Sequence, residues 1–368
     1  MRCDKIIKII EDWAPKSIAW EKDNVGLQVG SLRREVKNIL LCLDVDEKVV
    51  DEASRKKCNL IISHHPLLFR SFKKLDTEKD RKSRIIEKLI KKDITLYSAH
   101  TNLDFTKDGV SFQLARKLKL TNKKFLLNLS LNQNKISVFV PTTHADKVAD
   151  AMHNAGAGII GEYSNCSFRT LGTGTFKGSD KSNPKIGSKG KIEIVEEVKI
   201  EVLVNSFDVP KVIAAIKQAH PYEEVAYDVY QLANENVNYG VGVIGELPKE
   251  LSANQFLNYV SKSLRIKNLR FSHGSKSKVK KIAVCGGSGS DLLDIAIKNR
   301  ADAFVTADVK YHTFQDAENE ILLVDAGHYE TEIPALDEIK NRIEKSIKDK
   351  IKVYKFTGTT NPIVFYNN

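Results

Sequence analysis

Two adjacent histidines, in Ser63-His64-His65-Pro66, follow directly on the apolar run Leu60-Ile61-Ile62. Imidazole is the side chain best suited to hold a divalent transition metal or to move a proton near neutral pH. Neighbours in an extended strand point to opposite faces, so both rings serve one site only where the chain has begun to turn, and Pro66 favours such a path. The two rings then reach two separate ions, one each. For the pair taken alone, one packed and one exposed histidine is the simpler account.

Two other segments carry comparable groups. Tyr97-Ser98-Ala99-His100-Thr101-Asn102-Leu103-Asp104 closes another apolar strand with a histidine and a carboxylate, and Asp104 is a hard anionic ligand whose alternative is turn or helix capping. Gly327-His328-Tyr329-Glu330-Thr331-Glu332 follows a third strand. On a helix His328 and Glu332, four apart, share a face and can grip one centre, or form a surface ion pair. Together His64, His65, Asp104, His328 and Glu332 exceed the ligand set of one catalytic zinc. With a bridging carboxylate they suit two ions about 3.5 to 4 Å apart, an arrangement that activates water and clamps a leaving oxygen.

The elements that must position these residues alternate short β-branched runs with amphipathic ones. Asn38 to Leu43, Leu60 to Ile62 and Ile94 to Tyr97 read as strands, with helices from about Glu47 and near Ile85 to Lys91. The last third repeats the rhythm at Lys281 to Val284, Ala303 to Thr306 and Ile321 to Val324, with helices from Leu292 to Lys298 and after His328. Ligands in such sheets gather outside the carboxyl ends of the strands, which is where all three segments fall. The texture changes at Asn128 to Asn134. A strand from Ile136, a helix Ala145 to Ala155, a hairpin-like segment to Lys177, a Gly/Ser/Lys-rich loop Gly178 to Gly190, a strand Lys199 to Val204, a helix Pro210 to Ala219 and a strand Val225 to Tyr230 follow. The expectation is an α/β protein with a three-layer α/β/α core built from both chain ends, residues 1–127 and 237–368, interrupted by an inserted α+β ferredoxin-like domain, 128–236.

At these residues the chain resembles the GTP cyclohydrolase 1 type 2 homologue family, also described as dinuclear metal centre or NIF-three-like proteins. The resemblance rests on Asp23-Asn24-Val25-Gly26-Leu27-Gln28-Val29-Gly30, the His-His-Pro segment, Ser98 to Asp104, Thr306-Ala307-Asp308-Val309-Lys310-Tyr311-His312 and Gly327 to Glu330. It implies metal ligands at His64, His65, Asp104, His328 and Glu332, and a toroidal homohexamer whose sites face an internal cavity. The middle segment resembles the CutA-like insertion of the longer members through Gly156-Ala157-Gly158, Gly172-Thr173-Gly174-Thr175-Phe176 and His220-Pro221-Tyr222-Glu223-Glu224. His220 stays outside the ligand set, because Pro221 beside it reads equally as a structural turn. Two positions depart from the pattern: Ala307 stands where a glycine is usual, and Val243 where an arginine is expected, which weakens the case for an anionic substrate.

Supporting roles fall to His100 and His312 as candidates for moving protons and to Asp308 for orienting a ligand, with a purely structural role as the alternative for each. Gly286-Gly287-Ser288 joins a strand to a helix and can cradle phosphate through backbone N–H groups, or serve as a plain turn. The cofactors implied are two divalent ions per chain, zinc first, with iron, manganese, nickel or cobalt as alternatives. Two functions follow: a metal-dependent hydrolase of a nucleotide or other small heterocycle, or a non-enzymatic hexamer that stores, senses or delivers metal.

Composition narrows the field. The formal charge of +11 over 368 residues is carried by scattered lysine pairs, without aromatic interleaving or a nucleic-acid reader motif. It reads as a solvated surface rather than a nucleic-acid face. No apolar run approaches the roughly 18 residues of a membrane span, and the charged start lacks a signal-peptide core, so a cytoplasmic location is expected. Cys3, Cys42, Cys58, Cys166 and Cys285 are odd in number and widely spaced, which reads as reduced thiols.

Overall fold

The computed structural model describes residues 1–70, 73–129, 132–161, 163–182, 188–347 and 350–366. The chain divides into two compact units, one of residues 1–127 with 239–368 and one of residues 128–238. Where one three-layer core was expected, the larger unit holds two mixed sheets. The first has five strands in the order Gly26–Val29, Thr95–Ser98, Leu60–Ser63, Asn38–Cys42 and Lys352–Lys355. Only Gly26–Val29 runs antiparallel to its neighbour. The second has six, in the order Arg270–Ser272, Leu322–Asp325, Ala303–Ala307, Lys278–Ser288, Gly240–Ser252 and Thr121–Asn128. Its middle three strands are parallel. Each half of the chain lends an edge strand to the other's sheet, Thr121–Asn128 in one direction and Lys352–Lys355 in the other, and this exchange ties the two sheets together.

Both sheets are covered on two faces, as parallel strands require. In the first, Ile39, Leu41, Leu60, Ile62 and Tyr97 pack against helices Cys3–Trp13 and Ala335–Ser346, while Leu40, Cys42, Ile61 and Leu96 face helices Glu47–Arg55 and Arg81–Lys91. Ile6, Ile7 and Ile10 on the first helix are almost completely buried, each stabilising the core by about 1.5–3 kcal/mol. Asp46 and Asp80 cap their helices, accepting from the N–H groups of Val49 and Ser83. In the second sheet, Ile282, Val284, Val305 and Val324 meet Phe112, Phe256 and Val260, and Ala283, Phe304 and Leu323 meet Leu293, Ala296 and Ala317. Every central strand therefore spends its side chains on packing. Chemistry is left to the residues just beyond the strand ends.

The smaller unit runs strand, helix, strand, strand, helix, strand, and its sheet order is Phe168–Lys177, Ile192–Asn205, Gln133–Pro141, Tyr227–Leu232, antiparallel throughout. Helices Ala145–Asn154 and Val209–Ala219 cover one face through Val148, Met152, Val212 and Ile216, packed on Ile136, Val138, Ile200 and Val202. The strand expected from Lys199 begins at Ile192. The centre of the Gly178 to Gly190 loop, 183–187, lies outside the described residues. All five cysteines are unpaired thiols, and among the described residues no helix is long and apolar enough to cross a membrane.

Candidate metal centre

His64 and His65 sit where the strand Leu60–Ser63 turns. Their N–H groups still donate to Cys42 and Leu43 of the neighbouring strand, at 3.1 and 2.9 Å, while the side-chain alternation breaks. The rings end side by side, centroids 4.9 Å apart. The next strand brings His100 to 5.3 and 5.4 Å from the same two rings, at the start of the short helix Thr101–Asp104. From the second sheet, Gly327 adopts a left-handed φ of 79° and opens the helix His328–Glu332.

Each of these four histidines has its Nδ1 engaged. His64 Nδ1 donates to Ala99 O at 2.8 Å, and the carbonyl acceptor fixes the proton on Nδ1, leaving a lone pair on Nε2. His65 Nδ1 lies 2.9 Å from Asp44, His328 Nδ1 2.6 Å from Asp308, and His100 Nδ1 2.9 Å from Asp23. This is the carboxylate–imidazole arrangement that aims and strengthens a metal-binding nitrogen. The free Nε2 atoms converge. His65 and His328 approach at 3.2 Å, and Glu332 sets one oxygen 3.1 Å from His65 Nε2 and the other 3.0 Å from His328 Nε2. His64 Nε2 lies 3.5 Å from Asp104 and 3.7 Å from Glu332.

These distances resemble the edge of a coordination polyhedron, since two donors about 2.1 Å from one tetrahedral ion stand roughly 3.4 Å apart. Buried polar atoms also normally find hydrogen bonds, yet His64 Nε2, Asp104 Oδ1 and Glu332 Oε2 have no partner of proper geometry. Three orphaned donor atoms around one space fit a cation better than they fit each other. Two groups of candidate ligands result, His65 with His328 and Glu332, and His64 with His65 and His100, the ligand atoms of each lying within 4.8 Å of one another. Asp104 joins from the His64 side.

Electrostatics agree with this donor set. Burial opposes charge on His65, but its contacts with Asp44 and Glu332 win and hold the ring up to about 10. His328, also opposed by burial, is held up to about 9 by Glu332 and Asp308. Burial alone would raise the Glu332 carboxyl; His64, His328 and His65 instead hold it well below the usual range. Asp104 is raised, burial outweighing His64. Burial and the charge of Asp104 push the Cys285 thiol up to about 12. The cluster is thus rich in negative charge that draws protons onto its histidines, and a cation entering it displaces those protons.

Two sequence-derived roles do not match this geometry. His312 is exposed on helix Tyr311–Ala317, with Nδ1 2.9 Å from Gln315, and is not gathered with the other histidines. It lies a turn past Asp308, after the chain has left the rim. The N–H groups of Gly286 and Gly287 donate to Ser111 and Thr331, so neither remains for a phosphate. Gly287 instead clears space: a Cβ there would meet Glu332 at 2.2 Å. Val243 is fully buried in the second core. His220 is a turn fastener, with Nε2 donating to Phe139 O at 2.9 Å and Nδ1 accepting from Tyr222 N.

Asp44 and Asp23 were missed as supports. Asp44 follows the strand Asn38–Cys42 at the same rim as the histidines, so the strand-end rule that found His64 would have found it. A C-terminal strap carried no such signal. Phe356 N donates to Leu41 O, Thr360 Oγ1 to the second oxygen of Asp44 at 3.0 Å, and Asn361 Nδ2 to Glu330 at 2.9 Å.

Comparison with known proteins agrees over nearly the full length. Residues 1–362 match the family described as Duf34/NIF3 (NGG1p interacting factor 3). A protein of Halalkalibacterium halodurans named GTP cyclohydrolase 1 type 2 homolog is 41% identical over 365 residues, 98% of each chain. A Bacillus subtilis protein of the same name is 38% identical over 366 residues, again 98% of each. The crystal structure of a Bacillus cereus protein related to NIF3 superposes with a TM-score of 0.85 at 40% identity, covering 100% of this chain and 99% of that one. Sharing sequence from end to end and the fold that places the histidine cluster, the chain belongs to the Duf34/NIF3 family.

Proposed function

We propose that this chain holds two divalent metal ions between the rims of its two sheets, zinc being the first candidate, and that the centre serves a hydrolase acting on a nucleotide or other small heterocycle. The observation that carries the reading is the set of buried, unpartnered donor atoms on His64, Asp104 and Glu332. His65 and His328 would hold one ion and His64 and Asp104 the other, with the Glu332 carboxylate facing both sets. Bound there, the ions would supply Lewis acidity and lower the pKa of water. The protein's own part is to aim the Nε2 atoms through Asp44, Asp308 and the Ala99 carbonyl, and His100, held by Asp23, stands beside the pair where it can take or give a proton. The name carried by the relatives makes GTP the first substrate to try. Metal content of freshly purified protein, with formate release from GTP by the metal-loaded form, tests the proposal. Content below one ion per chain, or activity unchanged in His64→Ala and His328→Ala, would overturn it.

One observation favours a second reading, in which metal is stored or delivered. The N–H groups of Gly286 and Gly287 are committed and Val243 is buried, which removes the anion contacts a nucleotide would use there. Tight, slowly exchanging metal with no turnover of a substrate panel would establish it. The middle unit we read as a ferredoxin-like, CutA-like insertion, supported by its strand order, and the assembly as a toroidal homohexamer, which sedimentation of the full chain tests.

A further inference from the structure

Among the described residues one sheet face of the smaller unit carries no helix, and that face contains a hollow of about 650 Å³. This volume is within the range of small-molecule sites. Strand register explains the hollow. Val198, Ile200 and Val202 point to the helices, so Glu197 and Lys199 point the other way, opposite Gly172 and Thr170, with Phe139 across from Lys199. Gly172 and Gly174 therefore fall on the open face, where Gly172 leaves the floor bare and the Glu197 carboxylate lies over Gly174. Glycine inside a strand weakens it and often marks the close approach of a ligand. A Cβ on Gly172 would touch nothing within 4 Å, whereas one on Gly174 would meet the Glu197 carboxylate at 2.1 Å.

The walls are aromatic and held in place. Phe139, Phe176 and Tyr222 line the hollow, with the Phe176 and Tyr222 rings edge to face at 5.5 Å. His220 fastens the turn that carries Tyr222 to the Phe139 carbonyl, which accounts for the His220-Pro221-Tyr222 motif without a metal. The Tyr222 hydroxyl is shielded from solvent yet has no hydrogen-bond partner of proper geometry among the described residues. Burial and its side-chain contact with the Glu197 carboxylate keep it protonated, so hydroxyl and carboxylate face one another and a ligand edge would enter between them. Lys199 is already held by Glu201 at 2.8 Å. What remains is a flat apolar slot with a carboxylate acceptor and a hydroxyl donor at one end.

We propose that this hollow binds a planar nitrogen heterocycle that presents N–H donors to Glu197 and a carbonyl oxygen to Tyr222, the pattern on the pairing edge of guanine. This site is distinct from the histidine cluster, and no residue of that cluster takes part. Adenine offers a ring lone pair where guanine offers an N–H, and a carboxylate rejects it.

Titration calorimetry of the full chain with guanosine and with adenosine is the test. Guanosine should bind at least about tenfold more tightly than adenosine, and Glu197→Gln should abolish the preference. Gly172→Val fits the backbone and fills the floor, so it should eliminate binding while leaving thermal unfolding and metal content unchanged. His64→Ala should leave guanosine binding intact, which separates this site from the metal centre. Absence of guanosine binding, binding indifferent to both variants, or a Gly172→Val effect confined to the sedimentation coefficient would overturn the proposal. The last result would assign the hollow to a second copy of the chain.

Discussion

The two sheets of the larger unit contribute to the same centre in different ways. The first sheet supplies His64, His65 and His100 where strands turn, and the backbones of His64 and His65 remain tied to the neighbouring strand. The second supplies His328 and Glu332 from one helical turn, in space that Gly287 leaves open. Their outer contacts differ too. His65 and His328 are both backed by carboxylates and face the same Glu332, whereas His64 is backed by the Ala99 carbonyl. A carboxylate behind an imidazole raises its basicity more than a carbonyl does. If the proposed two ions bind, the two halves of the centre are therefore unequal, and the pair shared across the sheets should hold its ion more tightly.

Glu332 is the residue on which this contrast depends, because its two oxygens face His65 and His328 while the carboxylate also approaches His64. Glu332→Gln keeps the shape and removes the charge. It should cost both ions at once, with metal content after dialysis falling towards zero and affinity dropping by more than about a hundredfold. Loss of a single ion would mean that Glu332 belongs to one half only.

A milder change separates the halves. Asp44→Asn weakens the support of His65 alone and should reduce the affinity of the tighter ion by about 10- to 100-fold, leaving the His64 side unchanged. Cobalt substitution followed by absorption spectroscopy during chelator titration resolves the two steps. If they lose affinity together, the inequality drawn above is wrong.

How much of this was legible depended on whether function and local pattern coincided. The strands Leu60–Ser63 and Thr95–Ser98 were readable because fully buried parallel strands are continuous apolar runs, and the rule that ligands gather beyond their ends then pointed to His64, His65, His100 and Asp104. Two sheets in place of one core were not readable, because the exchange of edge strands is a long-range pairing without local signal. Ile192 to Glu197 escaped for another reason. That stretch of the ribbon projects past the helices and buries neither face, and Val195-Glu196-Glu197 breaks the alternation. His312 was misplaced because spacing after a strand end cannot show which side of the next helix meets the rim.

His100 has no counterpart on the second rim, and its clasp gives the first rim a pH limit of its own. Burial would raise the Asp23 carboxyl, but hydrogen bonds from His100 and Thr101 outweigh it and bring it from 3.8 to about 2. Because the folded value is the lower one, the stabilisation is complete above about pH 4 and is lost as pH falls through about 2. It amounts to about 2 kcal/mol. Denaturant unfolding between pH 6 and pH 2 should show Asp23→Asn to be less stable than the parent at pH 6, with the gap closing in acid. A constant gap would assign Asp23 a packing role instead.

The smallest effect comes from the Thr360 contact of the C-terminal strap, which touches the first rim's carboxylate. Thr360 Oγ1 donates to the Asp44 oxygen that His65 does not use, so it fixes the rotation of that carboxylate and, through it, the direction of His65 Nε2. Thr360→Val keeps the shape and removes one hydrogen bond to a charged group, while solvent at the half-exposed Asp44 compensates in part. The loss is therefore about threefold to tenfold in affinity for the ion at His65. Thr360→Ser restores the hydroxyl without the methyl and should recover the affinity, which a packing role would not allow. Because His64 is aimed by a backbone carbonyl instead, its ion should ignore both changes. If the strap affects both ions equally, it steadies the whole rim, and the distinction between a carboxylate-aimed and a carbonyl-aimed histidine does not set their affinities.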